Sequence, residues 1–398
     1  MQSLQSTFYI LLSTSLLILN NTYSQSSIPY YTAVVNQCSQ SNITTNLTEY
    51  EALGLKRRGT EQLQNTLDWL KNKYLSFGYA AAQLQEYSYT YSGSTAVCKN
   101  LEVTKIGTLY PTTYIIVCGH YDSIGGTGTN DNGSGLVSIL EIARLLKDIP
   151  TEYSIKFINF SGEEDGLKGS QNYVSSVVNA TNPKMNIRLV FNLDEVGGVA
   201  GATNNTITCE RDTSTPTTNN ALSSTFTNEL ITCVALYSPL NTALSYAYAS
   251  DYMSFQSNNE VITGFFEANE TTHKHTATDF LVNMDPVYNF NVAKAAIGAT
   301  MHFAKANTVL NNQNFEPENQ ITIFTNTNEK NIYIATGALL VAEYNFNLFD
   351  LSGKLVLNRN RNNPKLVEYF AADGLPKGIY LGVVEIDGKH ITKKIVLN

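Results

Sequence analysis

Apolar residues between 112 and 197 fall into three near-continuous runs, TYIIVCGH, SIKFINFS and IRLVFNLD. Runs of this kind, without polar alternation, predict strands covered on both faces of a sheet. Between them, GLVSILEIARLLKD and LKGSQNYVSSVVN read as helices. The order strand, helix, strand, helix, strand predicts an α/β fold with a mixed, largely parallel sheet flanked by helices. Ligands of such sheets sit beyond the carboxyl ends of the strands, so those ends are where chemistry is expected.

Upstream, residues 26–110 open with Asn/Thr-rich sequence. TEQLQNTLDWLKNKYLSFGY then places Leu63, Leu67, Leu70 and Tyr74 on one helical face. Alternation predicts strands near Gln85–Tyr91 and Val97–Lys105. Residues 198–260, rich in Asn, Thr and Ser, read as loops around a pocket, broken by one helix near Ser223–Leu236. Residues 285–305 predict a closing helix, and the polar stretch 306–319 reads as a linker. Beyond 320 the texture changes to short alternating strands. Turns are expected at Asp350-Leu-Ser-Gly353 and at Asp387-Gly388. The expected domains are therefore 25–305 and 320–398.

Composition sharpens this picture. A chain of 398 residues, 43% apolar and 15% charged, can bury a substantial core and suits two domains. The formal charge of −8 argues against nucleic acid as the main partner. Residues 320–398 hold nine basic and seven acidic residues, leaving −10 for the rest. The first 25 residues carry no charged side chain, and Phe8 to Leu19 is an apolar run of signal-peptide length, too short to span a bilayer. With Thr22-Tyr23-Ser24 as a small-x-small cleavage site, residues 1–24 predict a signal peptide and a secreted or cell-surface protein, despite the lack of an early Lys or Arg. No other stretch is long enough for a membrane span, and a monomer is expected. Of five cysteines, Cys118 reads as a buried thiol. Export allows oxidation of the others. Cys209 with Cys233, which flank one loop-rich segment, is the pairing expected; the alternative is five thiols.

The candidate chemistry lies at the strand ends. His120 closes the first run, with Asp122 and Asp131 in the glycine-rich stretch after it. Glu163-Glu164 follows the second run and Asp194 the third. Imidazole and carboxylate delivered from several strand ends are what a metal-dependent hydrolase needs, with two zinc ions sharing a bridging carboxylate. His120 and Asp131 are the first two ligands. Asp122 is expected to orient the His120 ring through its other nitrogen. One of Glu163 and Glu164 would coordinate while the other accepts a proton from the attacking water. Asp194 supplies another ligand, and the last is expected from THKHTATDF. GGTGTNDNGSG lacks the Gly-Lys-Ser/Thr ending of a phosphate-binding loop.

GHYDS, TNDNGSG, NFSGEED, NLDEVG and HTATD, in that order over roughly residues 55–305, resemble the M28 family of zinc aminopeptidases. The resemblance implies His120, Asp131 and Asp194 around one zinc. It implies Glu164, His275 and the same Asp131 around the other, and Glu163 as general base. His275, followed by Thr, two residues and Asp, matches the family's last ligand, whereas His273 does not. The family often shows Ser-Asp-His upstream, where this chain has Ser250-Asp251-Tyr252. FDLSGKLV, LPKGIYLGVV and the final KKIVLN resemble the C-terminal sorting domain of the type IX secretion system of Bacteroidetes, a small β-sandwich. Together these imply a secreted dizinc aminopeptidase acting on peptides with a free N-terminus and exported by the type IX machinery. The alternatives are a glutaminyl cyclase with one zinc, a carboxypeptidase on the same fold, or a metal-bound surface binding protein without turnover. Tyr237, Tyr246, Tyr248 and Tyr252 are all candidates for polarising the oxyanion.

Overall fold

The computed structural model describes residues 28–307, 321–326, 331–335, 343–362, 364–365, 367–386 and 389–397. The expected signal peptide, most of the expected linker and the Asp387-Gly388 turn lie outside them. The chain divides into two compact units, Met1–Thr308 and Val309–Asn398.

The first unit begins with α1 (Pro29–Val35), α2 (Gln40–Ala52) and α3 (Glu61–Ser76). Thr60 caps α3 by accepting the Leu63 N–H, and the stripe Leu63, Leu67, Leu70 and Tyr74 is buried. Strands β1 (Leu84–Tyr89), β2 (Cys98–Lys105) and β3 (Tyr110–His120) follow, then α4 (Gly133–Leu146), β4 (Tyr153–Phe160) and α5 (Lys168–Tyr173). Next come β5 (Asn186–Leu193), β6 (Thr206–Arg211), α6 (Asn220–Tyr237), β7 (Asn241–Tyr246), α7 (Tyr252–Ser257), β8 (Ile262–Glu267) and α8 (Pro286–Phe303).

Eight strands form one mixed sheet in the order β1-β2-β4-β3-β5-β8-β6-β7. β4, β3, β5 and β8 are parallel neighbours at its centre. Their apolar runs divide by period two between two cores. Ile115 and Val117 point to the cluster shared with α4, α6 and α8, while Ile116 and Cys118 point to the one shared with Tyr173 and Phe255 of α5 and α7. The sheet is thus covered on both faces, as its sequence requires. On α8, a Cβ at Gly298 would lie 2.2 Å from the Tyr237 ring, so glycine permits the close packing of α6 on α8.

Two expectations are corrected. Residues 198–260 are not only loops around one helix, because they contain β6 and β7. β7 is an edge strand whose residues stay largely exposed, so its Asn, Thr and Ser content hides it. Cys209 and Cys233 are separate buried thiols, as are the other three cysteines. One sits in β6 and the other in α6, both inside the apolar cluster rather than beside a surface loop.

The second unit has two antiparallel sheets. β9 (Thr322–Asn326), β10 (Asn331–Ala335) and β13 (Val367–Ala371) form one. β11 (Glu343–Phe349), β12 (Leu355–Asn362), β14 (Gly378–Ile386) and β15 (Lys389–Leu397) form the other. Ile332 and Ile334 from the first sheet pack with Phe346, Leu348, Val384 and Ile391 from the second. The expected turn between β11 and β12 is built by Asp350, whose carboxylate accepts the N–H groups of Ser352 and Lys354.

Candidate metal centre

Four loops at the site end of the sheet converge on one point. His120 ends β3, and Asp131 lies just before α4. Glu163 and Glu164 follow β4, Asp194 follows β5, and His275 lies in the loop after β8. Asp131 is central. Its Oδ1 lies 3.2 Å from His120 Nε2 and its Oδ2 lies 3.1 Å from His275 Nε2. Asp194 Oδ1 lies 3.3 Å from His120 Nε2, and Glu164 Oε2 lies 3.1 Å from His275 Nε2. Two sets of donor atoms result, His120/Asp131/Asp194 and Asp131/Glu164/His275, each with its atoms within 4.8 Å of one another. Glu163 stands beside them, 3.9 Å from His120 Nε2.

The glycine-rich loop exists to let backbones meet. A Cβ at Gly125 or Gly126 would lie within 2.3 Å of the carbonyl oxygens of His275 or Thr276, so glycine lets the two loops dock. His275 itself has φ +56°, a left-handed turn conformation. On an extended segment His273 and His275, two apart, would share a face; this turn separates them. His273 is turned away, its Nδ1 2.7 Å from the Thr278 hydroxyl.

Asp122 meets the other nitrogen of the His120 ring mainly through its main chain. The Nδ1 of His120 faces the main-chain carbonyl of Asp122 at 3.1 Å, and the Asp122 carboxylate is 3.6 Å away. That carboxylate also accepts the N–H groups of Glu163 and Glu164, at 3.2 and 3.3 Å. It therefore fixes the loop that carries both glutamates. With Nδ1–H donating to a carbonyl, Nε2 carries the lone pair and points at two carboxylates.

Sequence reasoning missed the groups that hold Asp131 in place. The Asp279 carboxylate accepts the N–H groups of Asn130 and Asp131. Asn132 donates to Leu193 O and accepts the N–H of Gly135 and of Glu195, tying α4 to the end of β5. Glu267 accepts from the Asn130 amide and the Gly198 N–H. Ser250 donates to Asp194 Oδ2 at 2.6 Å. Asp279 was visible as the end of HTATD, Asn130 and Asn132 within TNDNGSG, and Ser250 before Asp251, all without a role; Glu267 left no signal.

A cavity of about 280 Å³ opens on this centre. Glu163, Glu195, Glu210 and Lys274 are among its lining residues. Burial, with Asp194 among the neighbouring acids, pushes the Glu163 carboxyl up to about 10 although His120 opposes it. Burial and Asp131 push Glu164 up to about 8. Burial, then Asp131 and Asp194, push Glu195 up to about 10, against Lys274. Burial pushes Glu210 up to about 8, against the Tyr252 hydroxyl and with Asp194 adding. Asp131 alone goes the other way; burial raises it, and the imidazoles of His120 and His275 facing its two oxygens outweigh this. Crowded acids thus outnumber the cations that face them. Moreover, His120 Nε2 and Asp194 Oδ1 are buried without a hydrogen-bond partner among the described residues. Two divalent cations, one in each donor set, would satisfy both features, and imidazole with carboxylate is a set that zinc takes.

Of the four tyrosines, Tyr237 is paired with His302 Nε2 at 2.8 Å, and Tyr252 donates to Glu210 Oε2 at 2.5 Å. Only Tyr248 and Tyr252 line the cavity.

Residues 103–301 match peptidase family M28, and residues 318–398 match a secretion system C-terminal sorting domain. The latter marks the protein as secreted or displayed at the cell surface. Among the described residues no helix is long and apolar enough to cross a membrane. Aminopeptidase YwaD of Bacillus subtilis is 44% identical over 84 residues, 21% of this chain and 18% of that protein. The chain spans about a fifth of the length of the curated relatives it matches. The fold is similar to that of the LapA aminopeptidase of Legionella pneumophila, with TM-score 0.59 and 22% identity over 76% of this chain and 80% of that one. It is also similar to a glutaminyl cyclase of Bacteroides thetaiotaomicron, with TM-score 0.54 and 16% identity over 66% of this chain and 97% of that one.

Proposed function

Because the chain belongs to peptidase family M28, we propose that it is a zinc aminopeptidase removing the first residue of peptides outside the cell. The observation that carries this reading is Asp131, whose two oxygens reach two histidines from opposite sides of the centre, so that one carboxylate serves both donor sets. His120, Asp131 and Asp194 would hold one zinc, and Asp131, Glu164 and His275 the other. Bound there, zinc would supply Lewis acidity and lower the pKa of water.

The chain's own groups supply the rest. Glu163 lines the cavity beside both donor sets without belonging to either. Its carboxylate takes the proton of the attacking water and returns it to the leaving amine. Asp122 orients Glu163 and Glu164 through their backbone N–H groups. Glu195 also lines the cavity, next to Asp194, with one oxygen on Lys274 at 3.2 Å and the other buried without a hydrogen-bond partner among the described residues. It holds the substrate's α-ammonium, and an amine fixed beside the reacting carbonyl restricts cleavage to the N-terminal bond. Tyr248, the cavity tyrosine whose hydroxyl is not engaged by Glu210, polarises the carbonyl oxygen.

The tail, residues 320–398, acts as the address read by a type IX secretion system; its match to a sorting domain supports this. The catalytic domain is residues 25–305. The test is metal content together with hydrolysis of aminoacyl-p-nitroanilides, N-blocked peptides and N-terminal Gln peptides, with and without chelator. Two zincs per chain, cleavage only of free N-termini, and loss on chelation are expected. One zinc with pyroglutamate formation from Gln peptides would instead make it a cyclase.

A further inference from the structure

One group facing the cavity takes no part in the proposed hydrolysis. Glu210, on β6, is 3% exposed and lines the cavity. Its Oε2 accepts the Tyr252 hydroxyl, and no hydrogen bond among the described residues reaches its Oε1. The cavity's own cations are engaged elsewhere. Lys274 pairs with Glu195 and Glu270, and His275 faces Asp131 and Glu164. No Lys, Arg or His among the described residues counters the charge of Glu210.

Ionising a buried carboxyl without a cation costs several kcal/mol, roughly, so Glu210 is held neutral until an incoming cation completes it. A neutral acceptor would have served the Tyr252 hydroxyl as well. The walls suit a cation too. Tyr248, Tyr252 and Phe266 line the same cavity, and aromatic faces attract ammonium and guanidinium groups. The position fits a long side chain. Asn192 of β5 pairs with Gly264 of β8, which pairs with Glu210. Glu210 therefore stands two strand spacings, roughly 10 Å, from the strand that leads to Asp194. Glu195, beside Asp194, is the acid placed for the α-ammonium, which leaves Glu210 for a second positive charge further out.

We propose that Glu210 is a specificity-determining residue that pairs with a cationic side chain, Lys or Arg, on the first residue of the peptide. This rests on the aminopeptidase reading above. The test compares lysyl-, arginyl-, norleucyl- and leucyl-p-nitroanilides with the zinc-loaded full chain, and the binding of lysinamide and norleucinamide by calorimetry. The wild type should favour Lys over norleucine at least tenfold in kcat/KM. Glu210→Gln should lower that ratio at least tenfold, and Glu210→Asp, which keeps the charge, should retain part of it. A wild type that cleaves norleucine as well as Lys overturns the proposal, whether or not either variant folds. So does a folded Glu210→Gln that keeps the full preference. If no p-nitroanilide is cleaved, the aminopeptidase reading fails, and the binding arm decides Glu210 by itself. Tighter binding of lysinamide than norleucinamide sustains the cation site, and equal binding removes it.

Discussion

The two units bury different things. The tail sandwich fills its interior with Ile, Phe, Leu, Val and Tyr, and among its described residues no Asp, Glu, His, Lys or Asn side chain is buried. The first unit buries Asp122, Asp131, Asp194, Glu210, Glu267 and Asp279 around one end of its sheet. Burying a charge is costly unless it is paired or binds a cation, so it is retained where it serves something besides folding. The tail shows what a unit looks like when its interior has only to hold together. The core shows where chemistry displaces that simpler solution, and its acids are held in place by backbone N–H groups and amides rather than by apolar packing.

Breaking the acid cluster without unfolding it should have the largest effect. Glu163→Gln should keep both metals and lower kcat by about 10²–10⁴-fold, the usual contribution of a general base. Steady-state kinetics with metal analysis checks this, and a wild-type kcat would remove Glu163 from the mechanism. An apolar perturbation of the same unit should act on stability instead. Gly298→Ala pushes a methyl into the Tyr237 ring, and should destabilise by about 1–3 kcal/mol, as overpacking does. Urea denaturation measures it, with activity per folded molecule retained.

His302 gives a pH-dependent version of that test. Burial lowers its pKa to about 4, with Tyr31 packed edge-on at 4.8 Å and the Tyr237 hydroxyl on Nε2. The unfolded chain binds its proton near pH 6.5, before the folded one does. The contribution is therefore fully present above about pH 6.5 and is lost as pH falls towards 4. Denaturation at pH 7.5 and 5 should show a smaller drop in His302→Gln than in the wild type; equal drops would place the titration elsewhere. Removing the tail should matter least. A chain ending at residue 310 should keep kcat/KM within about tenfold, roughly 1.4 kcal/mol. A larger loss would make the sandwich a working part of the enzyme.

Much of this was legible along the chain. β3, β4 and β5 appear as apolar runs because both faces of the central sheet are covered, and α3 as a stripe because one face is. The donor residues were legible because they sit at strand ends, where the α/β arrangement places ligands. β7 was not, since an exposed edge strand has no apolar pattern to show. Nor was the state of Cys209 and Cys233, because a thiol in a core and one beside a loop read alike.

What the sequence by itself determined was the order of elements, the ends that carry acid and imidazole, and the change of texture at the tail. These depend on local period and on residue type. Only the tertiary structure decided that Asp122 holds the glutamate loop more than the His120 ring, and that Asp279 fixes Asp131. It also decided that Glu210 faces the cavity with no ion-pair partner among the described residues. Each depends on the docking of loops far apart in the chain, Gly125 on His275 and Asn130 on Asp279 among them. The directions of side chains across such contacts are set by packing in three dimensions, which no spacing along the chain encodes.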